Sequence, residues 1–231
     1  MAGADRTGEI GCVQQQAGPL RAATGRTLTI PMNNLTFYIG LGLGLALAAG
    51  LRPFLPALLA GALGSAGALG VGFSHSDFSF LQEGWWLVAM AALLLIAYLL
   101  QFRFGAERFE AGPLGAMIAG LGIGVGALLF AGTLGEHGDA TWPGLIGGAL
   151  AALLGQAAVR PLIARARARL ADRSAREALT LYVDSAALVI AALTALLHPL
   201  GYIALVPFAW LLLSTRRRAG EKYAGLRILG R

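Results

Sequence analysis

Long apolar runs are the feature that most constrains how this chain can fold. The run "GWWLVAMAALLLIAYLLQF" at residues 84–102 contains no charged side chain. About 20 such residues, wound into a helix, cross the roughly 30 Å hydrocarbon core of a membrane. The run is continuous rather than alternating in polarity, which favours a helix over a barrel strand. Because several further runs share this character, the sequence predicts an all-α integral membrane protein.

The composition agrees with this prediction and excludes other classes of protein. Charged residues make up 13% of the chain, whereas a soluble domain carries about 25%. The net charge of +6 could suggest a nucleic-acid partner. The basic residues lie at the ends of apolar runs, however, as membrane topology requires. We therefore expect membrane lipids, especially anionic ones, as partners and no nucleic acid.

The chain divides into three parts by composition. Residues 1–32 are polar and lack the apolar core of a signal peptide. They are either a disordered leader or the product of a mis-assigned start, in which case Met32 begins the protein. A polytopic helical membrane domain is expected at 33–215, followed by a basic tail at 216–231.

The distribution of Lys and Arg predicts how the chain crosses the membrane. Residues 74–83 and 136–143 contain neither, whereas 160–178 is rich in Arg. Since cytoplasmic loops carry the excess of Lys and Arg, we expect about six crossings of a bacterial inner membrane, with both termini in the cytoplasm. Only Arg52 breaks this pattern. In a seven-crossing alternative, residues 53–72 form a full span, Arg52 lies inside and the amino terminus lies outside.

The stretch "AAGLRPFLPALLAG" at residues 48–61 interrupts the first apolar run. Gly50, Pro53 and Pro56 predict the end of one helix and the start of a half-inserted or re-entrant segment, because proline removes backbone donors. Freed carbonyls, the Arg52 cation and a helix amino terminus can together bind an anion. In the alternative interpretation, Arg52 reaches to lipid headgroups beside a helix end.

Two Arg-Pro steps suggest an internal repeat. Arg52–Pro53 and Arg160–Pro161 each follow a Gly-rich helix, and each precedes an intermediate segment and two further spans. Two inverted three-helix repeats are a common plan in transporters. This arrangement would place Arg52 at the outer side of the membrane and Arg160 at the inner side.

Alternating glycines predict close helix packing. Glycines that are four residues apart share one face of a helix, and the glycine between them lies opposite, so neighbouring helices can approach both sides. The glycines concerned are Gly40, Gly42 and Gly44, and Gly120, Gly122, Gly124 and Gly126. The same Gly-rich helices could join copies of the chain into a homo-oligomer.

Asp184 and His198 are further candidates for substrate or ion binding. An intramembrane carboxylate is costly and should have a partner. Asp184 could bind a coupling proton or cation, or it could pair with Arg160 or Arg176 near the cytoplasmic face. His198 precedes Pro199 and fits either turn chemistry or a proton role.

A second group of arginines predicts contact with lipid headgroups. Arg165, Arg169, Arg173 and Arg176 are spaced four, four and three residues apart, which places them on one helical stripe. Together with Arg160, this stripe is typical of an interfacial helix lying on anionic headgroups.

Catalytic and metal motifs are absent from the sequence. It contains no Ser-His-Asp set, no Cys-His pair, no zinc-ligand spacing and no Walker loop, and it has only 3 His and 1 Cys. The acidic turn "EHGD" at 136–139 offers too few ligands for a metal. We expect no enzyme activity, no metal and no cofactor.

Three segments carry a resemblance to a known family. "GLRPFLPALLAG", "LYVDSAAL" and "LLHPL" occur in this order. Together they resemble the bacterial membrane-protein family called domain of unknown function 4126, over roughly residues 35–214. The resemblance implies a helical membrane fold, and Asp184 and His198–Pro199 match the family's pattern. The family's acidic residue near the end of the second span has no counterpart here before Glu107.

Two functions from different classes follow from these observations. The first is a transporter or channel for a small solute or ion, which the broken helix, the repeat and the few intramembrane ionisable groups favour. The second is a structural or lipid-interacting membrane protein without transport activity, in which Arg52 and the arginine stripe contact headgroups.

Overall fold

Seven α-helices and a short 3₁₀-helix form the part of the chain that the structure, a computed structural model, describes: residues 34–105 and 112–226. The helices are α1 (Asn34–Leu51), α2 (Phe54–Ala66), α3 (Gly84–Phe104), α4 (Pro113–Gly135), α5 (Thr141–Arg169), α6 (Arg173–Leu196) and α7 (Leu200–Leu226), and the 3₁₀-helix covers Ser79–Gln82. Within these residues there is no strand, as the predicted all-α class requires. The predictions for residues 1–32 and Glu107 fall outside the described residues.

Four of the helices, α3 to α6, are long and apolar enough to cross a membrane. The apolar parts of α1, α2 and α7 are shorter. On α3 only Met90 is buried, while Val88 and Leu99 are more than half exposed. Such an exposed apolar surface is expected where a helix faces lipid hydrocarbon rather than water. The fold is that of a helical membrane protein.

Helix α1 is the centre of the bundle. Its residues 45–49 are completely buried, and it packs against α2, α4, α5, α6 and α7. A Cβ added at Gly44 would meet the side chain of Thr194 on α6, and one added at Gly42 would meet Phe130 on α4. Neighbouring helices therefore approach α1 closely on both sides because its glycines leave room for them.

Of the four alternating glycines of α4, only the two on one face are closely packed. A Cβ at Gly122 would lie 2.9 Å from the carbonyl oxygen of Ala49, and one at Gly126 would lie 2.8 Å from Cβ of Ala152. Gly120 and Gly124 have open space around them. The expectation of close packing on both sides of α4 is therefore wrong for this face. Contact between copies of the chain through it stays a prediction.

The contacts of α1 define two ends of the bundle. At one end, which we call the histidine end, the rings of Tyr38 and His137 stack and Gly40 lies against the carbonyl of His198. At the other, the arginine end, Arg52 pairs with Asp184. Helix α1 thus runs from the histidine end to the arginine end, and the following helices alternate in direction.

The direction of α1 contradicts two expectations from the sequence, one about the number of crossings and one about the sides on which Arg52 and Arg160 lie. Six crossings with both termini on one side require α1 to begin at the end where α7 finishes. The structure places these two points at opposite ends, because α2 is a separate helix that returns the chain to the histidine end. Arg52 and Arg160 line one cavity, so the expectation that they lie on opposite sides of the membrane is wrong.

Helix α2 is short for reasons that the sequence contains. Pro53 is its N-cap residue, and Gly67 ends it in the left-handed conformation at φ 60°. The N–H of Gly67 bonds to the carbonyl of Gly64, and that of Ala68 bonds to the carbonyl of Leu63, which is the Schellman arrangement. Its 13 residues span about 20 Å. Helices α1 and α2 form a hairpin with Arg52 and Pro53 at its tip, so one helix ends and a second begins beside Arg52, as the sequence predicted.

The second Arg-Pro step behaves differently from the first. Pro161 lies inside the continuous helix α5, whereas Pro53 lies between two helices. Helices α1 and α5 also run in the same direction, from the histidine end to the arginine end. The described residues therefore do not form two inverted repeats related through the two Arg-Pro steps.

Candidate functional site

The hairpin tip places Arg52 inside the bundle. A residue that precedes proline is disfavoured in α conformation, so α1 stops just before Arg52. Pro56 lies in the first turn of α2, where backbone N–H groups have no partner within the helix and proline is tolerated. Gly50 lies against the backbone of Ala152 on α5. The tip is thus held deep against a neighbouring helix.

Arg52 forms a buried ion pair near the middle of α6. Its Nε lies 2.8 Å from Oδ1 of Asp184, and the two side chains are 16% and 5% exposed. The hydroxyl of Tyr98 on α3 donates a hydrogen bond to Oδ2 of the same carboxylate. Asp184 therefore has the partner that an intramembrane carboxylate needs. The partner is Arg52 and not Arg160 or Arg176, the two that the sequence suggested.

A polar cluster lies one helical turn from Asp184. Nη2 of Arg167 donates to Oγ1 of Thr180 at 3.1 Å, and Nε2 of Gln101 donates to the same oxygen at 3.2 Å. Arg167 is only 4% exposed. Because these groups come from α5, α6 and α3, they tie three helices together around a second buried cation.

A cavity of about 420 Å³ lies between the hairpin tip, the start of α4 and the second half of α5. This volume is within the range of about 300–1,000 Å³ that is typical of small-molecule sites. Its polar lining consists of Arg52, Gln156, Arg160 and Arg167, and no described Asp or Glu lines it. Nη2 of Arg160 donates to the carbonyl of Gly115 at 3.2 Å, which fixes this guanidinium beside α4. The lining suits an anion.

A second, smaller cavity lies on the other side of Arg52. Its volume is about 20 Å³, which is enough for about one water molecule. Arg52, Tyr98, Gln101 and Asp184 contribute its polar lining. Arg52 therefore stands between the carboxylate of Asp184 and the larger cavity.

The structure places the predicted site residues in two different regions. Gly50 and Pro53 line the larger cavity together with Arg52, and Pro56 is buried in α2. His198 is far from them, in the turn between α6 and α7. Burial there, with the nearby charge of His137, lowers its pKa. His198 and Arg52 therefore do not share a site.

The histidine end has its own cluster around Glu136. His75 Nδ1 lies 2.9 Å from Oε1 of Glu136, and the backbone N–H of His75 donates to Oε2 at 2.7 Å. Burial alone would raise the pKa of Glu136, but the hydrogen bonds from His75 and Ser74 outweigh it and lower this pKa. Among the described residues, no three His, Cys, Asp or Glu side chains are grouped to hold a metal ion.

The predicted arginine stripe does not lie on one helix. Helix α5 ends at Arg169 and α6 begins at Arg173, whose side chain lies outside the described part. Arg165 and Arg169 are exposed, whereas Nε of Arg176 donates to the carbonyl of Leu170 at 2.9 Å. A single interfacial stripe is therefore wrong, and Arg160 of the same predicted group lines the cavity instead.

Several site residues were missed by the sequence analysis. Tyr98 and Gln101 are polar positions three residues apart within an apolar run, a spacing that places them on one helix face. Gln156, Arg160 and Arg167 are four and seven residues apart, which again makes one face. The alternating pattern of the arginines on α5 would have separated Arg167 from the exposed Arg165 and Arg169.

Comparisons with known proteins locate the site within a family. The model of the family described as "Domain of unknown function (DUF4126)" matches residues 39–218. All residues that line the two cavities lie within this match. Neither a curated protein nor a solved structure matches the chain.

Proposed function

Since the chain belongs to the family described as domain of unknown function 4126, a description that names no activity, we propose a function from the cavity itself. The protein is a membrane transporter or channel for a small anionic solute. The observation that carries this proposal is the cavity of about 420 Å³ lined by Arg52, Arg160 and Arg167. It lies within a bundle whose outer surface is apolar.

The chemistry of the lining supports an anion rather than a cation or a neutral solute. A guanidinium binds carboxylate, sulfate or phosphate oxygens through parallel N–H groups. Pro53 at the amino terminus of α2 also lines the cavity, and the helix dipole there favours negative charge. Transporters place such broken-helix termini beside anionic substrate groups. An anion would stabilise the guanidinium of Arg167, whose burial is otherwise costly.

The same proposal includes an orientation in a bacterial inner membrane. Each described Lys and Arg side chain lies toward the arginine end, including Arg52, which was the exception in the six-crossing arrangement. Because positive residues accumulate in the cytoplasm, we place the arginine end and the end of α7 there. The amino terminus of α1 then lies outside, as in the seven-crossing alternative.

Transport by purified protein in liposomes tests the proposal. We expect uptake of at least one of radiolabelled sulfate, phosphate and chloride above that of protein-free liposomes. Arg160→Gln should lower this uptake about 10-fold or more, since a charge-assisted hydrogen bond is worth about 1.5–3 kcal/mol. Arg165→Gln removes the same charge from the same helix outside the cavity and should have little effect. Absence of anion uptake by the wild type would overturn the proposal.

A lipid-interacting protein without transport activity is the second candidate. It is favoured by the exposure of Arg160, Arg165 and Arg169 near one end of the bundle, since a lipid phosphate has the same chemistry as a free anion. Binding of sulfate should then be weaker in nanodiscs of phosphatidylglycerol than in nanodiscs of phosphatidylcholine, and liposomes of either lipid should show no uptake. Uptake that is abolished by Arg160→Gln in both lipids would exclude this candidate.

A further inference from the structure

The position of Arg52 between two cavities links its ion pair to the larger one. Arg52 lines both the cavity of about 420 Å³ and the cavity of about 20 Å³. Its Nε lies 2.8 Å from Oδ1 of Asp184, while the larger cavity is lined by Arg160 and Arg167 and by no described carboxylate. One guanidinium is thus placed to meet two anions, one of them built into the protein.

Two side chains of the described residues contact the carboxylate of Asp184 directly. Arg52 approaches from the hairpin tip and Tyr98 from α3. Arg167 of α5 is connected through Thr180. Helix α2 carries no titratable side chain, and α6 itself carries Arg176, Glu177 and the exposed Tyr182 in the turns before Asp184. On the other helices packed on α6, the further described titratable side chains are Tyr38 on α1, Arg160, Arg165 and Arg169 on α5, and Tyr202 and Arg216 on α7.

We propose that Asp184 and an anion in the cavity compete for the guanidinium of Arg52, so that a proton on Asp184 strengthens anion binding. This inference rests on the proposed function and deepens it. With Asp184 ionised, the charge of Arg52 is balanced within the protein. With Asp184 protonated, the attraction of its carboxylate for that charge is lost, so the guanidinium interacts more strongly with the anion, and anion and proton are bound together. By thermodynamic linkage the anion then strengthens proton binding by the same factor.

Histidine titration at the cavity does not account for such a pH dependence. The chain has 3 His, and they are His75, His137 and His198. His75 and His137 lie beside Glu136 and Tyr38, and His198 lies in the turn beside Gly70. All of them are at the histidine end, whereas the cavity is at the arginine end.

Sulfate binding to the purified full-length protein tests the inference, because sulfate keeps the same charge across the working pH range. Calorimetry should show wild-type affinity increasing as the pH falls. Asp184→Asn should bind sulfate about 10-fold more tightly at neutral pH, as expected for about 1.4 kcal/mol, and should lose the pH dependence. Glu177→Gln removes a carboxylate from the same helix outside both cavities and should behave as the wild type.

The outcomes separate this inference from the proposed function. If Arg160→Gln weakens sulfate binding but Asp184→Asn leaves it unchanged or weaker, competition is wrong and the anion site stands. A wild-type affinity that does not change with pH would likewise show, without any variant, that the competition is wrong. If the wild type binds none of sulfate, phosphate and chloride, the anion site itself is wrong and the competition with it.

Discussion

The two ends of the bundle use charged residues in opposite ways. At the histidine end, Glu136 binds His75 and Ser74, which joins the segment before the 3₁₀-helix to the turn between α4 and α5. The side chain of His75 is 81% exposed. At the arginine end, Arg52 and Asp184 are buried beneath helices. At the histidine end the charged residues hold surface turns together, whereas at the arginine end they are buried beside a cavity.

The difference separates a surface contact that aligns turns from a buried pair to which we assign a role in anion binding. Exposed ion pairs contribute about 0–1 kcal/mol, so the Glu136 cluster serves mainly to align turns. A buried pair is often no better for stability than apolar residues of the same size. The buried pair of Arg52 and Asp184 therefore supports the anion binding that we propose rather than a role in folding alone, and the four predictions that follow test this contrast.

The largest expected effect is in a labelling experiment that tests which end of the bundle faces the cytoplasm. With Cys12 changed to Ser, single cysteines at Thr36 and Asp139 should both react with an impermeant maleimide added to intact cells. A cysteine at Arg165 should react only after lysis. The result is nearly all or none, because the reagent does not cross the bilayer. Protection of the Thr36 position together with reaction of the Asp139 position would restore the six-crossing arrangement.

The next effect compares the two partners of the buried pair. Arg52→Ala should lower the free energy of unfolding by about 3–5 kcal/mol, because it leaves a buried carboxylate without its counter-charge. Asp184→Asn should cost less, since Arg52 borders the larger cavity and is more exposed. Thermal unfolding in detergent measures both. The Arg52→Gln, Asp184→Asn double variant should be more stable than Arg52→Ala, and equal losses would argue against a buried pair.

A smaller effect compares close helix contacts at the two ends. Gly201 lies against the carbonyl of Gly40 at the histidine end, and Gly50 lies against that of Ala152 at the arginine end. Each alanine substitution should cost about 1–3 kcal/mol, because a backbone carbonyl cannot move aside easily. Only Gly50→Ala should also weaken sulfate binding, since Gly50 lines the cavity. Gly120→Ala has open space and serves as the neutral control.

The smallest effect is acid sensitivity at the histidine end. The lowered pKa of Glu136 means that the unfolded chain binds the proton more readily than the folded one. The stabilisation is therefore complete above the unfolded pKa and is lost as the pH falls through the folded pKa. Between neutral pH and mild acid, the melting temperature should decrease less for Glu136→Gln than for the wild type. Asp139→Asn keeps the Glu136 cluster. Its melting temperature should therefore decrease as much as that of the wild type.

The sequence predicted the helical elements better than their direction. The apolar runs gave the long helices α3 to α6, and the prolines gave the break beside Arg52, because these signals are local. Helix α2, with 13 residues, is shorter than the roughly 20 that a span needs. If α2 were only half-inserted, α1 would run in the opposite direction, and Arg52 would lie at the end of the bundle opposite to Arg160.

The site was only partly predictable, since its members come from separate helices. Arg52 and Asp184 were candidates because each is costly in an apolar run, but nothing local to either residue pairs them. The spacing of the α5 arginines places Arg167 opposite Arg165 and Arg169, but only its packing against Thr180 of α6 shows that its face is the buried one. Burial of one arginine among exposed ones is a property of the fold.

The one-sided placement of arginine makes the molecule an electric dipole across the membrane. The side chains of Asp77, Glu83, Glu136 and Asp139 lie toward the histidine end, opposite the arginines. In a bacterium the cytoplasm is electrically negative. In the proposed orientation the field therefore attracts the arginine end toward the cytoplasm and the acidic histidine end toward the outside. Moving a charge against this voltage costs about 2.3 kcal/mol for every 100 mV. In the orientation that we propose, the resting membrane potential would therefore favour the inserted protein over the inverted arrangement.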